Sequence, residues 1–206
     1  MLRSAFGFFP RAATGIRRNH AVSRFAHWRA DRAAATHFQP LLYFSQKREN
    51  TFVYLSNAVE KYCRETGFAY NGPWKKWGPY GFTDDGRQRL EEYYPNALEE
   101  TYRGVSGYIY TVEKVIRRGH PVPIPDTVTS RGAVEATGCE FIPDAWEAIL
   151  QAEQEGLLVL RRYEEMTERE ADWLRRTVRE EYRQAEDHPE YQHFLRDKFG
   201  IDPESL

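Results

Sequence analysis

Three observations predict an all-α fold of five or six helices joined by extended Pro- and Gly-rich connections, with a long amphipathic helix at its centre. Apolar residues recur at spacings of three and four along much of the chain. Gly and Pro punctuate the gaps between those stretches. No segment alternates apolar and polar residues with the period of two that a half-buried strand needs.

Phe52, Leu55, Val59 and Tyr62 predict a helix over 51–66, closed by Gly67. Residues 68–82 read as a turn-rich aromatic loop: Phe68, Tyr70, Trp74, Trp77, Tyr80 and Phe82 are interrupted by Gly72-Pro73, Gly78-Pro79 and Gly81. Thr83-Asp84-Asp85 supplies N-cap oxygens and N-terminal charge for a short helix that reaches Tyr94 before Pro95. Leu98, Tyr102, Val105, Ile109, Val112 and Ile116 follow at alternating steps of four and three, the seam of a long helix ending at Gly119. The prolines of His120-Pro121-Val122-Pro123-Ile124-Pro125 impose an extended run, and 126–140 reads as loop. A helix restarts at Pro143 with Trp146, Ile149 and Leu150, and can run on to Tyr163. Thr167-Glu168-Arg169-Glu170 is a capping box for a helix with Ala171, Leu174, Val178, Tyr182 and Ala185 on one face. Pro189 opens a last helix with Tyr191, Phe194 and Leu195, closed by Gly200.

The first 40 residues differ in kind. They hold seven arginines, no lysine and a single acid, Asp31. Leu2, Phe6 and Phe9 can share a helical face ahead of Pro10. A basic, acid-poor, amphipathic start is the pattern of a mitochondrial transit peptide, because a cationic helix is drawn to anionic surfaces and by a negative-inside potential. The expected cut falls between about residues 32 and 45, leaving 41–206 as a single helical domain on the matrix side of the inner membrane. Arginines interrupt every apolar window, which excludes a secretory signal. The remaining 41–206 carry 22 basic and 30 acidic side chains, a net charge of −8. An acidic body argues against phosphate-backbone binding. No apolar stretch approaches membrane-span length. Two cysteines, Cys63 and Cys139, build neither a disulfide framework nor a zinc site and read as small buried thiols.

No catalytic pattern stands out, and the sequence predicts no enzyme, cofactor or metal. His120, His188 and His193 are scattered. Acid pairs such as Glu91-Glu92 and Glu180-Glu181 diverge on a helix. The aromatic loop is the unusual feature: Trp74-Lys75-Lys76-Trp77 sets two cations between two indoles, with Tyr80 and Phe82 close behind. Trp and Tyr dominate interface energies, so these six residues are the expected partner contacts.

The order of features resembles the small helical fourteen-kilodalton, ubiquinol-binding-protein family of ubiquinol–cytochrome c reductase, respiratory complex III. The likeness covers 52–155. Trp74-Lys75-Lys76-Trp77-Gly78 leads through Gly81-Phe82 to Asp84-Asp85; Pro95 precedes Tyr102-Arg103; Gly119-His120-Pro121-Val122-Pro123 ends the long helix; and Phe141-Ile142-Pro143 opens the next with Trp146. Val105-Ser106-Gly107-Tyr108 replaces that family's basic long helix, and 164–206 has no counterpart there. The resemblance implies a non-catalytic accessory subunit, peripheral to the membrane and bound to protein subunits of an inner-membrane complex, complex III first. Cytochrome c oxidase and ATP synthase are the alternatives within that class. A mitoribosomal or RNA-associated protein is the alternative outside it.

If the aromatic loop docks, replacing both Trp74 and Trp77 by Ala releases the protein from its assembly while its melting midpoint stays nearly unchanged. A loop folded on the core would instead lose about 3–5 kcal/mol per indole, and a thermal melt of the purified double variant would show it.

Overall fold

The computed structural model describes residues 2–6, 42–72, 80–116, 118–119 and 121–202. In chain order the elements are strands β1 (Leu2–Phe6) and β2 (Leu42–Ser45), a 3-10 turn (Glu49–Tyr54), helix α1 (Ala58–Thr66), strands β3 (Tyr80–Phe82) and β4 (Gln88–Glu91), and helix α2 (Ala97–Tyr102). Strands β5 (Gly107–Val112), β6 (Thr127–Ser130) and β7 (Gly138–Ile142) follow, then helix α3 (Ala145–Gln154), strand β8 (Leu158–Arg161), a second 3-10 turn (Tyr163–Glu165), and helices α4 (Glu168–Gln184) and α5 (Pro189–Phe199). Among the described residues eight strands stand beside five α-helices, so the fold is mixed α/β and the all-α expectation is overturned.

The misread segments show why. Over 98–116 the long central helix is replaced by α2 and β5. Gly104 adopts φ +72°, which ends the helical path, and Tyr108-Ile109-Tyr110-Thr111-Val112 is rich in aromatic and β-branched residues that suit a pleated surface. Ile109 and Val112 are buried either way, so their spacing did not discriminate. The expected helix over 83–94 is a hairpin loop leading into β4. Thr83 N–H donates to the Arg87 carbonyl at 2.9 Å, Gly86 N–H donates to the Thr83 carbonyl, and Gly86 takes φ +80°. Asp85-Gly86 is a hairpin signal that outweighed capping. The expected helix over 51–66 breaks at Leu55, and Asn57 caps α1 by accepting from Glu60 N–H. Gly156, at φ +70°, stops α3 and frees Leu158-Val159-Leu160 for β8. The segment 126–140 contains β6 and β7 rather than loop alone. The capping box of Thr167 and Glu170 does open α4, and α5 runs from Pro189 to the left-handed Gly200, as read. Cys63 is buried but Cys139 is exposed, against the expectation of two buried thiols.

The chain forms two compact units: 1–55 with 104–155, and 56–103 with 156–206. The first holds an antiparallel five-stranded sheet in the order β6-β2-β1-β5-β7. Strand β1 pairs with β5 from Leu2↔Val112 to Phe6↔Tyr108, and with β2 through Arg3↔Ser45. Leu2–Phe6 was expected not to pack on the body, yet it joins the β2–β6 pair to the β5–β7 pair; residues 7–41 lie outside the described residues. Phe44, Val112 and Val115 form one buried cluster in this unit. The Arg48 guanidinium holds the Glu140 carboxylate through Nε at 2.9 Å and lies 4.8 Å from the Phe52 ring centre. That carboxylate, set against some loss from burial, raises the Arg48 pKa.

The second unit is assembled from two separate stretches of chain. Strands β3 and β4 form a hairpin, and β4 pairs in parallel with β8 from Gln88↔Leu158 to Glu91↔Arg161. Leu90, Leu158 and Leu160 are buried along this ladder. Next to it the buried Glu92 carboxylate accepts from Leu98 N–H and from Tyr163 N–H, both at 3.3 Å. Arg161 donates two hydrogen bonds to Glu170, at 2.7 and 2.6 Å. That pairing and the Thr167 hydrogen bonds hold the Glu170 carboxyl down at about 2. Helices α1, α4 and α5 share a core that includes Tyr62, Cys63, Leu174, Val178, Phe194 and Leu195. Among the described residues no helix is long and apolar enough to cross a membrane.

Removing the Glu92 carboxylate strands the buried Leu98 N–H and takes the acceptor from the part-buried Tyr163 N–H, so Glu92→Ala should destabilise the protein by about 3 kcal/mol in a denaturant titration. Glu92→Gln keeps an acceptor oxygen and should cost about 1 kcal/mol.

Candidate functional site

Helix α1 presents Tyr62 and Cys63 to the core of the second unit, and α5 presents Tyr191, Phe194 and Leu195. A 3.6-residue repeat places His193 and Asp197 on one face of α5, and Phe194 and Lys198 beside them. Both pairs meet Tyr62. Its hydroxyl donates to Asp197 Oδ2 at 2.9 Å and lies 2.6 Å from His193 Nδ1. The phenol has one proton, and Asp197 takes it, so His193 Nδ1–H donates to the phenol oxygen. Phe68 packs on the imidazole with ring centres 4.1 Å apart. Burial, and then the Asp197 carboxylate, push the Tyr62 hydroxyl up to about 12. Tyr62 therefore stays protonated at neutral pH with both of its hydrogen-bonding roles occupied. The trio clamps α1 to α5.

Beside this clamp lies a cleft of about 640 Å³. Its aromatic floor is made by Tyr62, Tyr94 and Phe194; both tyrosines meet Phe194 edge-on, with ring centres 5.5 and 6.2 Å apart. Lys198 crosses that floor. Its ammonium is 5.8 Å from the Tyr62 ring centre and 5.4 Å from that of Tyr94, within cation–π reach. It also donates to Glu100 Oε2 at 2.7 Å. Burial, with Glu100 as the next contributor, raises the Tyr94 pKa. The other cations lining the cleft, Lys61 and Arg103, are also engaged: Arg103 Nε pairs with Glu99 at 2.7 Å, and Lys61 Nζ donates to the Arg103 carbonyl at 2.7 Å. With Glu65 the lining holds three cations and three anions. A cleft with balanced charges, two of its three cations held in ion pairs, is suited to holding a charged group by exchange of partners.

Trp74, Lys75, Lys76 and Trp77, four of the six expected partner contacts, lie outside the described residues. Tyr80 and Phe82 belong to β3, not to a loop; they are half-buried and pair with Leu90 and Gln88. Neither Tyr80 nor Phe82 lines the cleft. The cleft residues were not singled out from sequence, although His193 and Asp197 stand four apart on a predicted helix. Their partner Tyr62 is 131 residues from His193, beyond the reach of local spacing. Among the described residues no three His, Cys, Asp or Glu side chains come together as a metal site. No protein family, curated protein or solved structure matches this chain.

The raised Tyr62 pKa has a signed consequence. The unfolded phenol ionises near about 10. The contribution of this group to stability is thus complete below pH 10 and is lost as pH rises through about 12. Tyr62→Phe should remove one late-titrating phenol from the tyrosinate absorbance curve, and its melting midpoint should fall less steeply across that window.

Proposed function

We propose that this chain is a non-catalytic accessory protein of a mitochondrial energy-converting complex, docking through the cleft of its second unit. The observation that carries this is the state of the cleft: an aromatic floor, a cation resting on it, and lining charges balanced at three of each sign. Such a surface binds and positions. The Tyr62 hydroxyl, the one phenol there contacted by both a histidine and an aspartate, is engaged in holding α1 to α5.

The Arg-rich, Lys-free first 40 residues support the address, and the net −8 charge of 41–206 supports a basic protein surface as partner over RNA. Complex III has no priority over cytochrome c oxidase or ATP synthase. The likeness to its small subunit ran through a long helix at 98–116, where a strand stands instead. The address and the fold also make opposite demands on Leu2–Phe6. A cut between about residues 32 and 45, where the sequence places it, would remove β1, and a cut short of Leu42 would leave β2 and β5 with unpaired edges.

The test is to tag the C-terminus, isolate mitochondria and run a mild-detergent extract on a native gel. The tagged chain should co-migrate with one inner-membrane complex. A free monomer, or absence from mitochondria, would contradict the proposal. Intact mass of the recovered protein shows in the same experiment whether β1 is kept.

A further inference from the structure

The Lys198 side chain occupies a place built for a cation. Three features converge there: the faces of Tyr62 and Tyr94, the Glu100 carboxylate at 2.7 Å, and an open cleft of about 640 Å³ that continues from them. Lys198 sits in the last turn of α5, with its side chain 24% exposed. A four-carbon stem near a helix end can swing outward at little cost. With Lys198 withdrawn, the lining changes from three cations and three anions to two cations and three anions. The vacated floor is then electron-rich and acid-lined.

We propose that this is a binding site for a primary ammonium, the side-chain end of a lysine on a partner protein, and that Lys198 is its resident internal ligand. The choice of a primary ammonium follows from Glu100. That carboxylate takes a hydrogen bond from the bound nitrogen, which a quaternary ammonium cannot donate. The rings alone would accept either kind of cation. Lys198 competes from within the same chain, so an incoming lysine must displace a tethered rival with a high effective concentration. Docking on a basic surface would supply several contacts at once and favour the exchange. This inference rests on the docking role proposed above and names the group that the cleft receives.

The experiment titrates the full chain with N-acetyl-lysine methylamide, its ε-acetylated neutral form, and tetramethylammonium, following saturable chemical-shift changes. Lys198→Ala should bind the lysine amide at least about tenfold more tightly than the unaltered protein, because the internal competitor is gone. Lys198→Met keeps the apolar stem over the rings and should behave alike if Ala proves poorly folded. Tetramethylammonium should bind more weakly than the lysine amide, and the neutral form should not bind. Adding Glu100→Leu to Lys198→Ala removes the acceptor oxygens and should abolish the preference for the primary ammonium. No saturable binding to either Lys198 variant, or equal binding of the neutral form, overturns the proposal. If the site binds lysine while the tagged protein joins no complex, the cation site stands and the accessory-subunit role falls.

Discussion

The second unit depends on one parallel ladder. Its chain leaves at Arg103 and returns at Gly156, so its two stretches must be joined by contacts that no local propensity supplies. Pairing of Gln88–Glu91 with Leu158–Arg161 does this. The ladder satisfies backbone groups that would otherwise be buried without partners, and it buries Leu90, Leu158 and Leu160 in the same step. Glu92 extends the join just past the ladder through the Tyr163 N–H, and holds the start of α2 through the Leu98 N–H. Closing so long a loop carries an entropy cost that grows only slowly with its length, so an inserted stretch of this size is tolerable once the ladder forms.

The cleft is downstream of that join. Tyr62, Tyr94 and Glu100 come from the first stretch of the unit, and Phe194 and Lys198 from the second. The Tyr62–His193–Asp197 clamp ties the two stretches a second time, at α1 and α5. Because the clamp uses both hydrogen-bonding capacities of the phenol, it fixes the Tyr62 ring. The ring face is left for the Lys198 ammonium. One tyrosine thus has a structural edge and a binding face.

Helix ends with explicit caps were legible from the residues alone. Gly67, Thr167 with Glu170, Pro189 and Gly200 all mark boundaries where they were read. Much of the core was legible too, since Tyr62, Leu98, Tyr102, Ile109, Leu174 and Phe194 are buried. The strands were hidden for two reasons. They are short, three to six residues each, and their buried positions are not marked by a simple apolar–polar alternation. Strand β4 buries Gln88 beside Leu90, and β5 buries Ile109 and Val112 three apart, a spacing that a helix shares. Asp85-Gly86 and Gly156 carried the missing information as a hairpin turn and a helix stop. Of the clamp and cleft, the four-residue steps from His193 to Asp197 and from Glu99 to Arg103 were local; the contacts of Tyr62, Tyr94 and Glu100 with α5 span the insertion.

Amide hydrogen exchange under native conditions tests the ladder most directly. If it closes the second unit, the bonded amides of 88–91 and 158–161 should be the slowest in that unit and exchange only with its global unfolding, while α4 amides on the charged face open sooner. Glu92→Ala should speed both strands by the same factor. Fast exchange in either strand with α1 and α5 still protected would show that the helices hold the unit together without the ladder, and would contradict this account.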